Sequence, residues 1–511
     1  MNKTKIILPA IFLLAMVIRF LYFPNNIYFG FDQARDAYVA QDLLNGDLKL
    51  IGPSTSFEGL YHGVLYYYLL APLYGLGDKS TEFVAAVWRI LNSLGIFLIF
   101  YITKILFDKK TALFTAILFA FSFEQTQFSI YLHHPSLGVL SILVMYLGLA
   151  KVVFRNICLG LPLAFLGLGF SIQSEFVLTY LTVPFVLIIL LFRQRFFQVP
   201  LKIWLISIMV LTISLSSFIL AEFKYNFRTI NSLVALSGFN PGKTLDSIIQ
   251  TYLFTVSKMG SYNIWGDFQY KEIVLVLLTI IYIILLIKKI YLKQLIFLSV
   301  WFFSLILTLV VHGGVENLQK EIPLYYPNVG VSIALLIFIS LIIEKVIKKN
   351  IFLGLLIVAI IIYSNLTMIT KLNPKGTISE INVQQGMLLS DQKKVLDYIY
   401  QDANSEPFAV KAVTMPLYIN TTWSYLFEWY GQNNFGYLPI WNGKNAVGFA
   451  GNLKVEEAQE KLPSRRYVII EPTRGIATYL IDDFLKEEGY FTKIVEEEKF
   501  GMFVVQKREK F

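Results

Sequence analysis

Residues 350–370 read NIFLGLLIVAIIIYSNLTMIT, an apolar run without a single charged side chain. About 20 such residues form a helix that is long enough to cross the hydrocarbon core of a bilayer. Ten more runs of comparable length and polarity precede it, at 5–23, 84–106, 111–129, 134–154, 157–173, 176–193, 201–221, 272–288, 294–312 and 327–347. The sequence therefore predicts an α-helical polytopic membrane protein with about eleven transmembrane helices.

The composition of the whole chain agrees with this prediction. Its 511 residues are 56% hydrophobic and only 15% charged, whereas soluble domains carry about 25% charged residues. A soluble protein must cover its surface with polar groups, and lipid removes that requirement. The first run lacks a small-x-small cleavage site, so we interpret it as a retained helix rather than a signal peptide.

Positive charge is concentrated in every second connection between the apolar runs, and in the residues before the first run. The basic residues concerned are Lys3 and Lys5; Lys109 and Lys110; Lys151 and Arg155; Arg193, Arg195 and Lys202; Lys288, Lys289 and Lys293; Lys345, Lys348 and Lys349. Because lysine and arginine favour the cytoplasmic side of a membrane, we predict a multi-pass protein of the plasma membrane with a cytoplasmic N-terminus. The orientation requires the apolar stretch 157–193 to break at Gln173-Ser174-Glu175.

Two domains follow from this topology. Residues 1–370 form the membrane domain, and residues 371–511 form a small extracytoplasmic α/β domain without cysteines. The external loops of the first domain are 24–83, 122–134, 222–271 and 313–326. In the second domain we expect strands at 408–413, 467–470 and 500–506, and helices at 390–402 and 476–488.

The net charge of +9 does not indicate a nucleic-acid partner. Most basic residues lie in the short connections, and no basic patch is interleaved with aromatic residues in the way that nucleic-acid-binding surfaces are. The single cysteine, Cys158, lies in an apolar stretch and is interpreted as a packing residue. The expected partners of the chain are therefore the lipid bilayer and ligands at the membrane, and not a nucleic acid.

The first external loop contains charged residues that share one face of a predicted helix. Residues 29–47 read FGFDQARDAYVAQDLLNGD, and helical spacing places Asp32, Arg35 and Asp36 together. One alternative is a solvated interfacial helix with an ordinary ion pair. Residues 61–68, YHGVLYYY, follow in the same loop, and an aromatic cluster of this kind is also typical of the membrane interface.

Together these segments resemble the GT-C class of polytopic glycosyltransferases, closest to the branch of the protein O-mannosyltransferases and the lipid A aminoarabinose transferase. DQAR at 32–35 is similar to an Asp-Glu-x-Arg motif, with glutamine in place of glutamate, and Gly46-Asp47 to the Gly-Asp-Trp turn that follows it. HGVLYY at 62–67 resembles a Lys/His-Pro-Pro-Leu-Tyr-Tyr segment without its prolines, and VWRILN at 87–92 supplies the arginine that enters the second helix. The likeness covers roughly residues 1–350.

The second external loop, SFEQTQFSIYLHHPS at 122–136, also resembles the family but departs from it in two places. Ile130 replaces an arginine, and Ser136 replaces the acid or amide that usually follows the proline. The resemblance therefore supplies no second catalytic or metal-binding carboxylate in this loop.

The resemblance implies transfer of a sugar from a polyprenyl-phosphate donor to a hydroxyl of a lipid, glycan or protein acceptor outside the cytoplasm. Such a reaction needs a carboxylate to take the acceptor proton, and cations to stabilise the leaving phosphate. The catalytic candidates are Asp32, as general base, and Asp36. The candidates for donor-phosphate binding are Arg35, His62, Arg89, Lys224 and Arg228, and the candidates for the pocket lining are Tyr61, His134, Glu175 and Tyr325.

Four of these candidates have a structural alternative. Arg89 could pair with helix-end carbonyls, Lys224 and Arg228 could be cations at a helix end, and Glu175 could lie in a surface turn. We expect no cofactor and no metal. Four histidines are few, and the adjacent pair His133 and His134 would not share a helix face. Oligosaccharyltransferases of the class use a divalent metal, whereas the closer branch need not.

Three other functional classes remain open. A transporter or flippase of polyprenyl-linked glycan or lipid would fit the many helices, but such proteins often contain internal repeats, and we find none here. An envelope-polymer polymerase or ligase typically carries its acid and arginines in a late external loop, whereas the acidic motif here follows the first helix. A non-catalytic scaffold is the third alternative.

Overall fold

The computed structural model describes residues 4–55, 57–237, 244–266, 268–269, 271–307, 326–378, 384–444, 446–472 and 475–511. Up to residue 378 it is mainly helical. The helices there are α1 (Thr4–Phe20), α2 (Phe31–Leu44), α3 (Leu65–Leu76), α4 (Thr81–Ser93), α5 (Gly95–Leu106), α6 (Lys109–Phe121), α7 (Phe123–Ile130), α8 (Leu137–Arg155), α9 (Gly160–Ser174), α10 (Thr182–Leu191), α11 (Arg193–Phe196), α12 (Leu201–Ser214), α13 (Ser216–Lys224), α14 (Arg228–Ser237), α15 (Leu245–Gly260), α16 (Lys271–Ile287), α17 (Leu292–Phe303), α18 (Ser332–Lys349) and α19 (Ile351–Leu372).

All eleven predicted apolar segments are mainly helical within the described part of the chain. Among the residues that the structure describes, three helices are long and apolar enough to cross a membrane, namely Thr81–Leu106, His134–Arg155 and Ile351–Lys375. A fourth is added if α12 and α13, which meet at an angle of 56°, form one span. Shorter apolar helices cover Ile6–Phe20, Gly160–Ser174, Phe176–Leu191 and Leu292–Leu307. The count of eleven spans and the orientation of the termini stay predictions.

The predicted break near residue 174 is confirmed. Helix α9 ends at Ser174, and Glu175 has an extended backbone with φ −153° and ψ 116°. The side chain of Gln173 donates to the carbonyl of Ser214 and to Ser217 Oγ, both at 2.8 Å. These bonds fasten the end of α9 to the bend between α12 and α13.

Close packing of α8 against α9 explains the small residues on their shared face. A methyl group on Gly167 would lie 2.6 Å from Met145 Cα, and one on Gly160 would lie 2.5 Å from the carbonyl of Gly148. Small residues of this kind let helices approach in lipid, where van der Waals packing drives their association. Helices α8 and α9 therefore lie in direct backbone contact.

A mixed six-stranded sheet with helices follows, as the sequence predicts for a small α/β domain. Its elements are α20 (Leu389–Ala403), β1 (Ala409–Val413), α21 (Thr421–Leu426), α22 (Gln432–Phe435), β2 (Ile440–Asn442), β3 (Val455–Glu456), β4 (Arg465–Ile470), α23 (Thr478–Gly489), β5 (Thr492–Phe500) and β6 (Phe503–Lys510). The strand order is β3-β2-β1-β4-β6-β5. Strands β3, β2, β1 and β4 run parallel, and β6 pairs antiparallel with both β4 and β5.

The predicted closing strand at 500–506 is corrected to a hairpin. Phe500 ends β5, and β6 begins at Phe503. Gly501 between them has φ +59°, a left-handed conformation that glycine adopts without strain. The predicted segment therefore spans the turn, and β6 continues beyond it to Lys510.

The sheet region docks against the first external loop through backbone hydrogen bonds. The Phe29 amide donates to the carbonyl of Met387, and the Leu389 amide donates to that of Ile27, both at 2.9 Å. Gln392 Nε2 donates to the Phe29 carbonyl at 2.8 Å. Apolar side chains of both regions also share one buried cluster. The predicted boundary at residue 370 falls in the last turn of α19 and stays a prediction.

A buried carboxyl beside the sheet gives a pH prediction. Glu471 is 4% exposed and accepts hydrogen bonds from Trp423 Nε1, Gln384 Nε2 and the Met415 amide. Burial outweighs these bonds and raises the pKa of Glu471 to about 8. The unfolded chain ionises near the ordinary glutamate pKa of about 4.3, so ionisation favours unfolding as the pH rises from there to about 8. We expect the melting temperature in detergent to be lower at pH 8 than at pH 6.

The matched variant is Glu471→Gln, which keeps the shape of the side chain but does not ionise. Its melting temperature should change less between the two pH values than that of the wild-type chain. An equal change in both proteins would contradict the role of Glu471.

Candidate active site

Helix α2 is fixed to the second external loop by one buried glutamine. Gln33, at 2% exposure, accepts from the Gly30 amide through Oε1 at 3.1 Å and donates to the Leu132 carbonyl through Nε2, also at 3.1 Å. Since an amide both accepts and donates, it can join these two partners. The bonds place Asp32 beside the loop that carries His133 and His134.

Asp32, Arg35 and Asp36 form one ion-paired group on α2, which we call the acidic motif. Arg35 Nη1 lies 2.5 Å from Asp32 Oδ1, and Arg35 Nη2 lies 2.7 Å from Asp36 Oδ1. The Asp36 side chain is 1% exposed, whereas that of Asp32 is 42% exposed. The predicted shared face is therefore confirmed, and Asp32 is its accessible carboxylate.

The two carboxyls of the motif differ in their ionisation. Desolvation opposes the charge on Asp32, but the charge of Arg35 and a hydrogen bond with His133 outweigh it, so the pKa lies well below the ordinary value. For Asp36, burial dominates over the attraction of Arg35 and raises the pKa. Asp32 is therefore an ionised, accessible acceptor, and Asp36 anchors the guanidinium from beneath.

Three of the four histidines of the chain lie next to this motif. His62 and His134 are predicted site residues, and His133 is not. His133 Nε2 lies 3.6 Å from Asp32 Oδ2, and the rings of His133 and His134 have centroids 4.1 Å apart. His133 is extended, with φ −155° and ψ 156°, and His134 begins the short 3-10 turn His134–Ser136. Proline at position 135 favours a helix start there, so the argument from helix faces does not apply to this pair.

A second group, which we call the histidine–carboxylate cluster, consists of His62, His134 and Glu175. Glu175 Oε1 lies 3.1 Å from His62 Nδ1, and Glu175 Oε2 lies 3.3 Å from His134 Nδ1. All three residues are less than 10% exposed, and the two imidazole rings have centroids 4.2 Å apart. Burial outweighs the attraction of Glu175 and lowers the pKa of His62 to about 3, so its ring is neutral.

Backbone contacts hold each member of the cluster in place. His134 Nδ1 donates to the Ser174 carbonyl at 2.8 Å, and the Phe176 amide donates to His62 Nδ1 at 3.2 Å. Both partners flank Glu175 in the break after α9. The break that the hydropathy pattern predicts therefore supplies the carboxylate and the two backbone groups that orient the rings.

Gly63 allows the His62 loop to approach this break. Its amide donates to the Gln173 carbonyl at 3.1 Å, and an added methyl group would lie 2.6 Å from that carbonyl oxygen and from Gln173 Cα. The corresponding segment of the glycosyltransferase family described above has proline at this position. In this chain the position requires glycine, because a side chain would collide with Gln173. Gly63 therefore sets the distance between His62 and Glu175.

We expect Gly63→Ala to destabilise the protein by about 1–3 kcal/mol, the usual cost of overpacking. The backbone of Gln173 cannot yield as the end of a side chain can, so the loop must move and carry His62 away from Glu175. Thermal unfolding of both proteins in the same detergent measures the effect. Gly489→Ala is the control, because its added methyl group meets only Arg508 Nη2 at 3.9 Å. Equal melting temperatures for both variants would contradict this role of Gly63.

The remaining predicted site residues lie apart from these two groups. Arg89 is fully buried and donates to the Arg19 carbonyl at 3.0 Å and to Asn26 Oδ1 at 2.9 Å, which is the structural alternative. Arg228 lies over the ring of Tyr61 at 5.4 Å, and Lys224 is exposed beside Tyr225.

Most of the predicted loop 313–326 lies outside the described residues, and so does Tyr325. Its neighbour Tyr326 is described. The hydroxyl of Tyr326 lies 3.0 Å from that of Tyr131, and its ring stacks against His133 with centroids 6.1 Å apart. Tyr326, at the end of this loop, therefore reaches the site, whereas the predicted role of Tyr325 lies outside the described residues.

An apolar groove of about 370 Å³ lies beside the cluster. Its lining includes Leu65, Leu166, Phe170, Val210 and Ile213, together with Gln173 at the end of α9. The groove is bounded by α3, α9 and α12, so it belongs to the apolar part of the molecule. Its polar end adjoins the break that carries Glu175.

Known proteins resemble the chain in sequence over part of its length and in fold throughout. The sequence profile of the family described as dolichyl-phosphate-mannose-protein mannosyltransferase matches residues 61–219. No curated protein matches the chain significantly in sequence.

The fold is similar to that of ArnT from Cupriavidus metallidurans, solved bound to undecaprenyl phosphate. The TM-score is 0.62 at 11% identity, over 98% of this chain and 97% of that one. It is also similar to the oligosaccharyltransferase of Archaeoglobus fulgidus, solved in complex with Zn and sulfate, with a TM-score of 0.51 at 15% identity, over 85% of this chain and 62% of that one. A third structure, the oligosaccharyltransferase AglB of the same organism with an inhibitory peptide and a dolichol-phosphate, has a TM-score of 0.50 at 14% identity, over 86% and 65%.

At these identities the structural likeness shows the fold, and the profile adds a sequence match in the region that carries His62, Arg89, His134 and Glu175. Both findings agree with the resemblance noted in the two external loops. The chain is a membrane protein with the fold of the GT-C glycosyltransferases.

Proposed function

We propose that the protein is a glycosyltransferase that moves a sugar from a polyprenyl-phosphate donor to a hydroxyl of an extracytoplasmic lipid, glycan or protein. The observation that carries the proposal is the acidic motif, in which an accessible carboxylate and a guanidinium lie within hydrogen-bond distance. A polyprenyl phosphate accompanies two of the similar structures, ArnT and AglB. The reaction would take place at the outer side of the plasma membrane.

Asp32 acts as the general base in this proposal. The acceptor oxygen attacks the anomeric carbon of the sugar, the bond from that carbon to the phosphate oxygen breaks, and Asp32 takes the hydroxyl proton. The polyprenyl phosphate leaves with the electrons of the broken bond. The 42% exposure of the Asp32 side chain gives the acceptor access to it.

Arg35 connects donor binding with the strength of the base. In the free protein it pairs with both carboxylates of the motif and keeps the pKa of Asp32 low. A phosphate competes for the same planar donors. When Arg35 turns towards the phosphate, Asp32 loses part of its counter-charge and becomes a stronger base. Asp36, buried beneath, holds the guanidinium in reach of both.

The donor lipid and the remaining basic residues occupy the surroundings of the motif. The apolar groove along α3, α9 and α12 is suited to an isoprenoid chain, and its polar end adjoins His62 and Glu175. Arg228, over Tyr61, lies at the outer rim of the first external loop and extends the positive charge there. Arg89 supports the site by fixing the end of α1.

The test is transfer of label from radiolabelled polyprenyl-phosphate sugars in proteoliposomes that contain the full chain and a mixture of candidate acceptors. Appearance of the label on an acceptor is the expected result. Label that crosses the bilayer without transfer would overturn the proposal in favour of a flippase, the alternative class. Label that stays on its donor and on its original side would overturn both.

A further inference from the structure

We propose that a pocket in the C-terminal region binds a saccharide without negative charge, and that this saccharide is the acceptor of the sugar. We call it the sheet-edge pocket, and its lining includes Asn420, Phe449, Asn452, Glu456 and Glu457. The acceptor role rests on the proposed function and narrows its three classes of acceptor to a glycan. The binding of the saccharide does not depend on transfer and can be tested without it.

The sheet-edge pocket has the size of a site for a small ligand. Its volume is about 630 Å³, within the range of about 300–1,000 Å³ that is usual for such sites. Strand β3, which lies at one edge of the sheet, forms one side of the pocket, and the loop 446–453 forms another. The pocket shares no lining residue with the apolar groove along α3, α9 and α12, so it is a separate site.

A buried amide that faces the pocket lacks a partner in the protein. Asn420, at 8% exposure, precedes α21 in the position where an asparagine side chain usually accepts a bond from the helix backbone. It makes no such bond, and among the residues that the structure describes its side chain has no hydrogen-bond partner. A methyl group on Gly451 would lie 2.9 Å from Asn420 Oδ1, so glycine there leaves this oxygen uncovered. Because an unpaired buried polar group costs free energy, a ligand that bonds to Asn420 is favoured.

The other groups of the pocket suit the hydroxyls and the ring of a sugar. Carboxylate and amide oxygens accept hydrogen bonds from hydroxyl groups, and Glu456 and Glu457 supply the carboxylates. The Ala458 amide donates to Glu456 Oε1 at 3.0 Å, which holds that side chain in place. The ring of Phe449 is 46% exposed and offers an apolar surface against which the C–H groups of a sugar can pack.

The charge of the lining excludes an anionic ligand. Within the described part of the chain, no lysine, arginine or histidine lines the pocket, whereas two carboxylates do. Recognition of a phosphate or carboxylate depends on such cations. The acceptor is therefore a neutral or amine-bearing saccharide, and not a phosphorylated lipid headgroup or a uronic acid.

A peptide or a lipid tail fits this pocket less well than a saccharide does. A peptide that binds at a sheet edge adds a strand through a row of backbone hydrogen bonds. The edge strand β3 has only two residues, Val455 and Glu456, so it offers too short a row. A lipid tail would need an apolar groove, whereas this pocket is walled mainly by polar groups.

An aromatic contact connects the pocket with the helix that carries the general base. The ring of Phe449 meets that of Phe31 edge to face, with centroids 6.0 Å apart. Phe31 directly precedes Asp32, and its ring lies 5.9 Å from the guanidinium of Arg35. An oligosaccharide that extends from the pocket past Phe449 therefore reaches the turn of α2 that carries Asp32.

Glu428 fixes the pocket wall to the same helix. Its Oε1 accepts from the hydroxyl of Tyr38 on α2 at 2.7 Å and from the backbone amide of Asn452 at 2.9 Å. Its Oε2 accepts from Asn452 Nδ2 at 3.1 Å. These three bonds hold the loop of the pocket at a set distance from α2, as an acceptor site requires.

The first measurement is binding of the full-length protein, purified in detergent, to an array of neutral, amine-bearing and anionic oligosaccharides of equal length. Binding to neutral or amine-bearing members, and not to anionic ones, is the expected result. A protein that binds none of them, or that prefers the anionic members, would overturn the proposal.

Two variants assign the binding to this pocket. Asn420→Ala should lower the affinity about tenfold or more, the effect of losing one well-made hydrogen bond. Its melting temperature without saccharide should equal or exceed that of the wild type, because the amide bonds to no other described residue. Glu457→Ala, at an exposed position, should weaken binding in the same way and keeps the test decisive if Asn420→Ala fails to fold.

Glu460→Ala is the matched control, because Glu460 is also exposed and does not line the pocket. It should bind the saccharide as the wild type does. Wild-type affinity in both Asn420→Ala and Glu457→Ala, or an equal loss in Glu460→Ala, would overturn the site.

Transfer assays with the saccharide that binds test its role as the acceptor. In Asn420→Ala the KM for this acceptor should rise about tenfold or more, while the KM for the donor stays unchanged. An unchanged acceptor KM would overturn the acceptor role and leave the proposed function intact. Saccharide binding without any transfer would overturn the proposed function and leave the binding site intact.

Discussion

Replacing Asp32 by asparagine is expected to slow sugar transfer by about 10²–10⁴-fold, the usual contribution of a general base. The amide has the same shape but cannot accept the hydroxyl proton. Folding should be unaffected, because Arg35 keeps its pair with the buried Asp36 at 2.7 Å and the lost carboxylate is 42% exposed. Donor binding should persist, since the guanidinium remains in place. Initial rates in proteoliposomes, at equal protein content, measure the effect.

Asp42→Asn is the matched control for this experiment. Asp42 lies on the same helix, its side chain is 49% exposed, and it pairs with a lysine rather than with Arg35. Its replacement should leave the rate within about twofold of the wild type, since surface ion pairs contribute little. A wild-type rate in Asp32→Asn would overturn the assignment of the base, and an equal loss in Asp42→Asn would point to a general effect of charge.

Replacing Arg35 by glutamine is expected to have two separable effects. The first is loss of donor binding, because glutamine offers the phosphate no charge. The second is a loss of stability of about 3 kcal/mol, because Asp36 stays behind as an unpaired carboxyl at 1% exposure. Binding of a labelled polyprenyl phosphate and thermal unfolding measure the two effects on the same sample.

The double variant Arg35→Gln/Asp36→Asn separates these contributions. Removing the buried carboxyl together with its partner should restore most of the stability, since both members of the pair are replaced by neutral groups of similar size. Donor binding should stay lost. Recovery of binding in the double variant would mean that Arg35 acts only through the fold, and the phosphate would then have to bind elsewhere.

The sequence alone predicted those parts of the fold that depend on local patterning. Apolar runs of about 20 residues predict helices, because a helix of that length crosses the hydrocarbon core of a bilayer. The break at 173–175 was predicted because it places the positively charged connections on one side of the membrane. In the sheet domain, the segments 408–413 and 467–470 were located because the apolar runs there shorten to the length of a strand and charges and prolines return between them. The hairpin around Gly501 was missed, since one glycine between apolar residues is a weak signal of a turn.

The contacts within the acidic motif were predictable from the sequence. His62, His134 and Glu175 were also site candidates, but their contact with one another was not predictable. Asp32, Arg35 and Asp36 are neighbours on one helix, so helical spacing alone brings them together. His62, His134 and Glu175 come from three distant segments, and tertiary contacts such as the packing of α8 against α9 and the contact of Gly63 with Gln173 bring them together. Proline at position 135 was the available signal for His133 and His134, because it indicates that the chain there does not continue as one helix.

The backbone pairing of Phe29 and Ile27 with Met387 and Leu389 has a consequence for the design of chimaeras. A hybrid that joins the helical part of this protein to the C-terminal region of a relative would leave these partners mismatched, only a few residues before Asp32. The exchangeable module is therefore the C-terminal region together with residues 24–44 of the first external loop, although the two are far apart in the chain. Grafts that respect this discontinuous boundary should preserve the backbone pairing and transfer Asp32 together with the C-terminal region.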